Sequence, residues 1–317
     1  MNLLKYRWFF VGIFVVTMLL SVLFLFVNPY NGWGSKPGTL NLGIDFTGGT
    51  KIYYPLERPV DSAEVVSALE TVQLPNFKFN PPQPNEYFDS QGVRRHQVII
   101  YTRFLNDAEQ EVVINTLESK LGQSHDQRLD ITRVDPLIGK ELVTNAINAV
   151  LLASVLMMAY IWFRFEMASG IAAIISMIHD SILVLGIFAL LGQEVNATII
   201  AALLTIIGYS INDTIVVFDR IRENMKYKTK ATSFVELANI SILQTFRRSL
   251  NTGLTTILAV CVLYLMVPSI QEFCFALIIG LVSGTYSSIF VASPIWAVYK
   301  DWQEKRKISS KMTPATR

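Results

Sequence analysis

Two carboxylates stand where an apolar sequence has no ordinary use for them. Asp213 lies in Ile206–Asn224, IIGYSINDTIVVFDRIREN, which opens inside an apolar run starting near Ala197 and closes on charges beginning at Asp219. Asp180 follows His179 near the middle of a second apolar run, Gly170–Leu191. An ionised Asp at the centre of a membrane helix costs roughly 2.5–3.5 kcal/mol on insertion scales, so such a residue usually faces a partner or a water path. Function is therefore the default reading of Asp213. The plainer use is a neutral acid that caps or bonds a neighbouring helix. His179 and Asp180, with Asn212, are read either as part of a proton path or as helix contacts. Adjacent residues point about 100° apart on a helix, so at most one of His179 and Asp180 can face a given neighbour squarely. Arg247 and Arg248 stand at the mouth of a later apolar run. They either anchor that helix at lipid phosphates or send one guanidinium inward to Asp213.

These residues need membrane helices to hold them. Apolar residues make up 51% of the chain and charged ones 16%, against about a quarter in soluble domains. A span needs about 20 residues. Six candidates emerge: Trp8–Val27, Val143–Phe163, Gly170–Leu191, Ala197–Phe218, Thr252–Val267 and Phe273–Tyr299. Lys5 and Arg7 precede the first; Arg220, Arg222, Lys226, Lys228, Lys230, Arg247 and Arg248 lie between the fourth and fifth; Lys300, Lys305, Arg306 and Lys307 follow the sixth. The short loops Gly192–Asn196 and Pro268–Glu272 carry no Lys or Arg. By the positive-inside rule both termini and the 219–249 loop are cytoplasmic, and the segment from Asn28 to Asn145 is outside. The organisation read is residues 1–27 as N-terminus and first span, 28–141 as outer domain, 142–299 as spans two to six, and 300–317 as a basic cytoplasmic tail. The apolar N-terminus lacks a small-residue cleavage site and reads as a retained anchor. Cys261 and Cys274 sit in or beside spans and read as buried filler, leaving the outer segment without a disulfide.

The outer segment opens with a Gly/Pro linker, Asn28–Leu40, followed by GIDFTGG, in which Gly43, Asp45, Gly48 and Gly49 form a structured turn feeding a strand. No Lys-Ser or Lys-Thr pair ends it, which argues against a phosphate-cradling loop. Thr50–Pro55 is β-prone. Asp61–Glu64 is an N-cap signature before Val65, Val66, Leu69 and Val72. Phe77–Phe79 is a short strand, Asn80–His96 a loop and Gln97–Thr102 a strand. Asn106–Glu109 opens a second helix to Leu121, and Leu129–Val134 is the last strand. The order β-α-β-β-α-β predicts a ferredoxin-like α+β domain, two helices covering one face of a four-stranded antiparallel sheet. His96 and His125 lie in polar stretches without an acid and nucleophile at useful spacing. The sheet edges suit an extended polypeptide held by β-augmentation. Residues 233–245, SFVELANISILQT, predict a short amphipathic helix on the cytoplasmic surface. Gly280 and Gly284 are at helix-packing spacing. No catalytic, metal-ligand or nucleotide-binding constellation is found, so the expectation is a non-enzymatic chain without metal, cofactor or nucleic-acid partner.

The combination of GIDFTGGT (43–50), HD (179–180), IIGYSINDTIVVFDRIREN (206–224), RSLNTGLTT (248–256) and GTYSSIFVASP (284–294) resembles the SecF family. SecF is the smaller subunit of SecDF in the bacterial Sec protein-export machinery, within the resistance-nodulation-division superfamily. The resemblance runs in order from the first span to the last. Asp135 before Pro136 departs from it, where glycine is commoner. It implies six transmembrane helices with a large extracytoplasmic domain between the first two, in the bacterial plasma membrane. It implies pairing with SecD, association with the SecYEG channel and YajC, and contact with the translocating polypeptide. It also implies proton coupling at Asp213 and Arg248. The function expected is a proton-motive-force-coupled auxiliary subunit that moves exported polypeptides outward. Two alternatives stay open: a proton-driven exporter of small solutes, which needs a roomy apolar cavity in the outer domain, and a structural scaffold, which would tolerate Asp213→Asn.

Overall fold

The computed structural model describes residues 3–27, 40–88, 93–122, 129–228, 232–267 and 270–312. The linker 28–39, His125, Lys230, Pro268 and residues 313–317 of the basic tail lie outside the described residues. In chain order, a 3-10 turn Leu3–Tyr6 precedes α1 (Arg7–Phe26), then come α2 (Ile44–Thr47), β1 (Gly49–Leu56), α3 (Ser62–Glu70), β2 (Gln83–Phe88), β3 (Arg94–Thr102), α4 (Asp107–Leu121) and β4 (Asp130–Val134). Helices α5 (Pro136–Arg164), α6 (Met167–Leu191), α7 (Ala197–Met225), α8 (Phe234–Met266) and α9 (Gln271–Ser287) follow. A π-helical turn, Ser288–Ala292, joins α9 to α10 (Ser293–Met312). The chain forms two units, one of Met1–Leu23, Val150–Ile187 and Ala201–Arg317, the other of Phe24–Ala149 and Phe188–Ile200.

Within the second unit the sheet order is β2-β3-β1-β4, every neighbouring pair antiparallel. Alternation along the strands sends Ile52, Tyr54, Val98 and Ile100 to one face, where α3 and α4 cover them with Val65, Leu69, Val113 and Leu117, all buried. The second strand is not Phe77–Phe79, of which only Phe79 makes an isolated bridge to Thr102. It is Gln83–Phe88, within the stretch read as a loop. Its prolines and polar side chains masked it, and an edge strand tolerates both because one side makes no ladder. Asn106 and Glu109, read only as the opening of this helix, form a complete capping box at the start of α4. Asp61 occupies the N-cap of α3 without a capping bond, and Glu64 pairs instead with Arg58. His96, read as solvated, faces Glu86 across the strands at 3.6 Å.

Among the described residues, six helices are long and apolar enough to cross a membrane. Much of the segment 219–249, read as the loop between the fourth and fifth spans, is helical, because α7 continues to Met225 and α8 begins at Phe234. The predicted surface helix 233–245 is therefore the first part of α8, a 33-residue helix that continues through the fifth span. Its apolar face explains the continuity: Phe234, Leu237, Ala238 and Ile242 are buried in the first unit's core with Phe218 and Trp296. Trp296 lies 4.8 Å from Phe218 and 5.6 Å from Phe234, centroid to centroid. Asp135, the departure before Pro136, accepts a hydrogen bond from Leu137 N at 2.8 Å, so an N-cap acid and a first-turn proline start α5.

Gly280 and Gly284 pack α9 against α7. A Cβ on Gly280 would fall 2.3 Å from Ile206 Cδ1, and one on Gly284 would fall 3.1 Å from Ser210 Cβ. Gly280→Ala is expected to lower stability by about 1–3 kcal/mol through overpacking, and Ile206→Ala in the same chain to recover part of that loss. Thermal unfolding in detergent of the two single variants and the double variant checks it: additive losses would mean that the two positions do not meet.

Candidate functional site

Asp213 is 8% exposed, and the carboxyl oxygen Oδ2 is shut off from solvent with no hydrogen-bond partner among the described residues. The same holds for Oγ of Ser249 on α8. Ser249 and Arg248 of α8 and Tyr209 of α7 stand within electrostatic reach of the Asp213 carboxyl. Ser249 lies beside it without hydrogen-bond geometry, and Arg248 acts on it without a direct ion pair. Arg247 and Arg248 are exposed on the surface of this single chain. The inward residue of the RRS sequence is therefore Ser249, because burial along α8 follows Ser241, Ile242, Thr245, Ser249 and Gly253. Asn212 is exposed, turned away by the 100° step between neighbours.

Asp180 is fully buried and His179 is 1% exposed. The neighbours do meet, His179 Nδ1 standing 3.2 Å from Asp180 Oδ1. The 100° between them holds at Cβ, and the imidazole swings back to close the gap. Asp180 Oδ2 accepts from Ser210 Oγ on α7 and Ser287 Oγ on α9, each at 2.8 Å. Ser283 Oγ, also on α9, donates to Oδ1. A carboxylate has about four lone-pair sites, and here four donors from three helices fill them. On the far side of the ring, Thr17 Oγ1 of α1 lies 2.9 Å from His179 Nε2, and Phe14 stacks on the imidazole at 4.2 Å.

This polar seam continues. Ser288, the first residue of the π turn, donates to Ser210 O at 3.1 Å and shares a 2.8 Å hydrogen bond with Thr214. Ser293 Oγ donates to Ser288 O at 2.9 Å, across the widened turn. π turns inside helices often mark functional positions. The seam ties α7 down at Ser210 and Thr214, on either side of Asp213. The sequence reading assigns no role to Ser210, Ser249, Ser283, Ser287 or Ser288. The signal was hydroxyl residues at helical spacing opposite an intramembrane acid.

The glycines of GIDFTGG are forced by close approach. Gly48 has φ +71°, and a Cβ there would lie 2.5 Å from Pro136 Cα; a Cβ on Gly49 would lie 2.6 Å from Thr102 O. Gly43 lies against Asn196, and Asp45 reaches the start of α7, where Oδ2 accepts from Ala197 N at 3.0 Å. The turn is a single helical turn, α2, which feeds β1 as expected.

Residues 113–302 match the model of the family described as protein export membrane protein SecD/SecF, C-terminal, and residues 39–60 match the SecD/SecF GG motif. The chain is 37% identical over 303 residues to a protein translocase subunit SecF of Alicyclobacillus acidocaldarius, covering 95% of this chain and 92% of that one. It is 35% identical to a protein translocase subunit SecDF of Bacillus subtilis, covering 84% of this chain and 35% of that one. The crystal structure of SecDF from Thermus thermophilus, a translocon-associated membrane protein, superposes with a TM-score of 0.80 at 32% identity; the match covers 95% of this chain and 38% of that longer chain. A SecDF structure in a super-membrane-facing form gives 0.66 at 31% identity, covering 98% and 40%. Six apolar helices, a small antiparallel sheet and SecF relatives matched nearly end to end place this chain in the SecD/SecF family of multi-pass membrane proteins.

Proposed function

We propose that this chain is an auxiliary subunit of the Sec protein translocase that couples the proton-motive force to outward movement of exported polypeptides. The observation that carries the reading is Asp213: a carboxyl within an apolar helix, with one oxygen left unpartnered beside an unpartnered Ser249 and under the influence of Arg248. A group held that way can gain or lose a proton without dismantling a network. Protonation removes its attraction to Arg248 and lets α7 and α8 repack. A charge crossing the membrane potential yields about 2.3 kcal/mol per 100 mV, enough to shift a two-state equilibrium more than tenfold.

The Lys and Arg distribution supports cytoplasmic termini, with the four-stranded unit as an extracytoplasmic ferredoxin-like domain. Relatives in which a SecF-like part is fused into SecDF support pairing with SecD. So do the apolar side chains that α5 leaves uncovered, among them Leu151, Leu152, Val155 and Leu156. SecYEG, YajC and the translocating chain are the further partners in this reading. The outer unit's groove, about 430 Å³, mixes Leu56, Pro59 and Val60 with Asn85, Glu86, His96 and Gln97. That lining suits a polypeptide laid along the β2 edge better than an apolar solute.

The test is Asp213→Asn in vesicles carrying the assembled translocase, with export followed with and without a proton gradient. The expected result is loss of the gradient-dependent part of export with normal insertion of the variant. Unimpaired gradient-dependent export would overturn proton coupling at this residue.

A further inference from the structure

The stretch Asn41–Gly49 holds three elements together, and the proton-coupling scheme gives it no task. On one side it pairs with the loop between α6 and α7. Gly43 N donates to Val195 O at 2.9 Å, Val195 N donates to Asn41 O at 2.8 Å, and Asn41 Nδ2 donates to Gly192 O at 3.2 Å. Asp45 Oδ2 accepts from Ala197 N, the first residue of α7. On the other side α2 presses on the first turn of α5. The backbone of Gly48 lies on Pro136, and a Cβ on Gly139 would come within 2.9 Å of Phe46 O. Gly49 then enters β1, its backbone against Thr102 of β3.

Helix α7 already has its own cap, since Asn196 Oδ1 accepts from Ile199 N at 3.1 Å. The contact from Asp45 therefore does more than end a helix. It fixes the α7 terminus to a segment continuous with the sheet, through an acid placed at the positive end of the helix dipole. α7 runs unbroken from Ala197 to Met225, and Asp213 lies about 24 Å along it from Ala197. Backbone packed on backbone at Gly48 and Gly139 leaves no side chain to absorb a displacement.

We propose that Asn41–Gly49 is a rigid coupling joint, with Asp45 as its positioning residue, that carries a shift of α7 into β1 and so into the outer sheet. This rests on the proton-coupling reading of Asp213 and adds the part that transmits the motion.

The experiment uses the full chain in the assembled translocase in vesicles and measures both gradient-driven export and proton flux. Asp45→Ala is expected to cut gradient-driven export at least tenfold while proton flux stays within twofold of the unsubstituted protein: ion passage uncoupled from movement. Asp45→Asn, which keeps an acceptor oxygen, is expected to retain a larger share of export. Loss of flux and export together would reduce the joint to a support for the bundle, and unchanged export would remove it from the mechanism; either overturns the proposal. A second variant does not depend on weakening the fold. With Asp45→Cys and Ala197→Cys combined, the reduced protein is expected to lose gradient-driven export as Asp45→Ala does, and oxidation to a crosslink to restore it, because the covalent tether replaces the Asp45 contact and a rigid joint never opens. Export no better in the crosslinked than in the reduced protein would overturn rigidity. Failure of the parent reading is separable, since it shows as unimpaired gradient-dependent export in Asp213→Asn whatever stands at residue 45.

Discussion

Asp180→Ala is expected to cost several kcal/mol of stability, seen as a fall of about ten degrees or more in the unfolding temperature in detergent, whereas Asp213→Asn is expected to leave that temperature nearly unchanged. Both residues are acids in apolar helices, and they differ in their partners. Asp180 takes hydrogen bonds from Ser210, Ser283, Ser287 and His179. Removing the carboxylate strands those donors at a fully buried position, and an unsatisfied buried polar group costs about 1–3 kcal/mol. Some of this is recovered because a helical serine can turn to a carbonyl of its own helix, as Ser287 already does toward Gly284 O at 3.2 Å. His179 has no such option, since its Nδ1 faces only Asp180. Asp180→Asn keeps one acceptor oxygen but sets an amide against two donors, so it is expected to fall between the two. Asp213 offers nothing comparable, because its Oδ2 satisfies no donor. Equal destabilisation by Asp180→Asn and Asp213→Asn would refute the assignment of one acid as anchor and the other as the group free to titrate.

That contrast between the two acids was hidden in the sequence, although both were visible as anomalies. Hydropathy locates an intramembrane carboxyl because its cost is local. Its partners come from α7 and α9, up to 107 residues away along the chain, and single serines in apolar runs look the same whether they cage an anion or let helices approach. The π turn at Ser288–Ala292 was likewise invisible, since its widening follows from packing between helices and not from its residues. The six spans were legible because apolar length dominates. Helix ends were less so: the charged extension of α7 read as loop and the start of α8 as a separate surface helix, yet Phe234 and Ile242 bury one face of α8 and make it continuous with the fifth span. In the second unit Asn106 and Glu109 form a capping box although Glu109 also pairs with Arg103, whereas Asp61 makes no capping bond and Glu64 is turned to Arg58.

The arginine of the coupling pair makes the second large prediction. Arg248→Gln should abolish most gradient-dependent export, and Arg248→Gln combined with Asp213→Asn should do no more damage than Asp213→Asn alone. If the two residues work one switch, removing the acid leaves the arginine nothing to act on, and residues that act as a unit are strongly non-additive. Here the guanidinium is exposed and makes no direct ion pair with the carboxyl, though its charge acts on it. Attraction to an exposed guanidinium is screened by solvent to on the order of 1 kcal/mol or less, within reach of the work of moving one charge through about 100 mV. A switch balanced that closely depends on the charge and not on the fork of the guanidinium. Arg248→Lys should therefore retain a substantial share of gradient-dependent export while Arg248→Gln does not. If lysine fails as completely as glutamine, a bidentate Arg248–Asp213 pair must form during the cycle, and α8 must turn about its axis to bring an outward-facing side chain into the bundle.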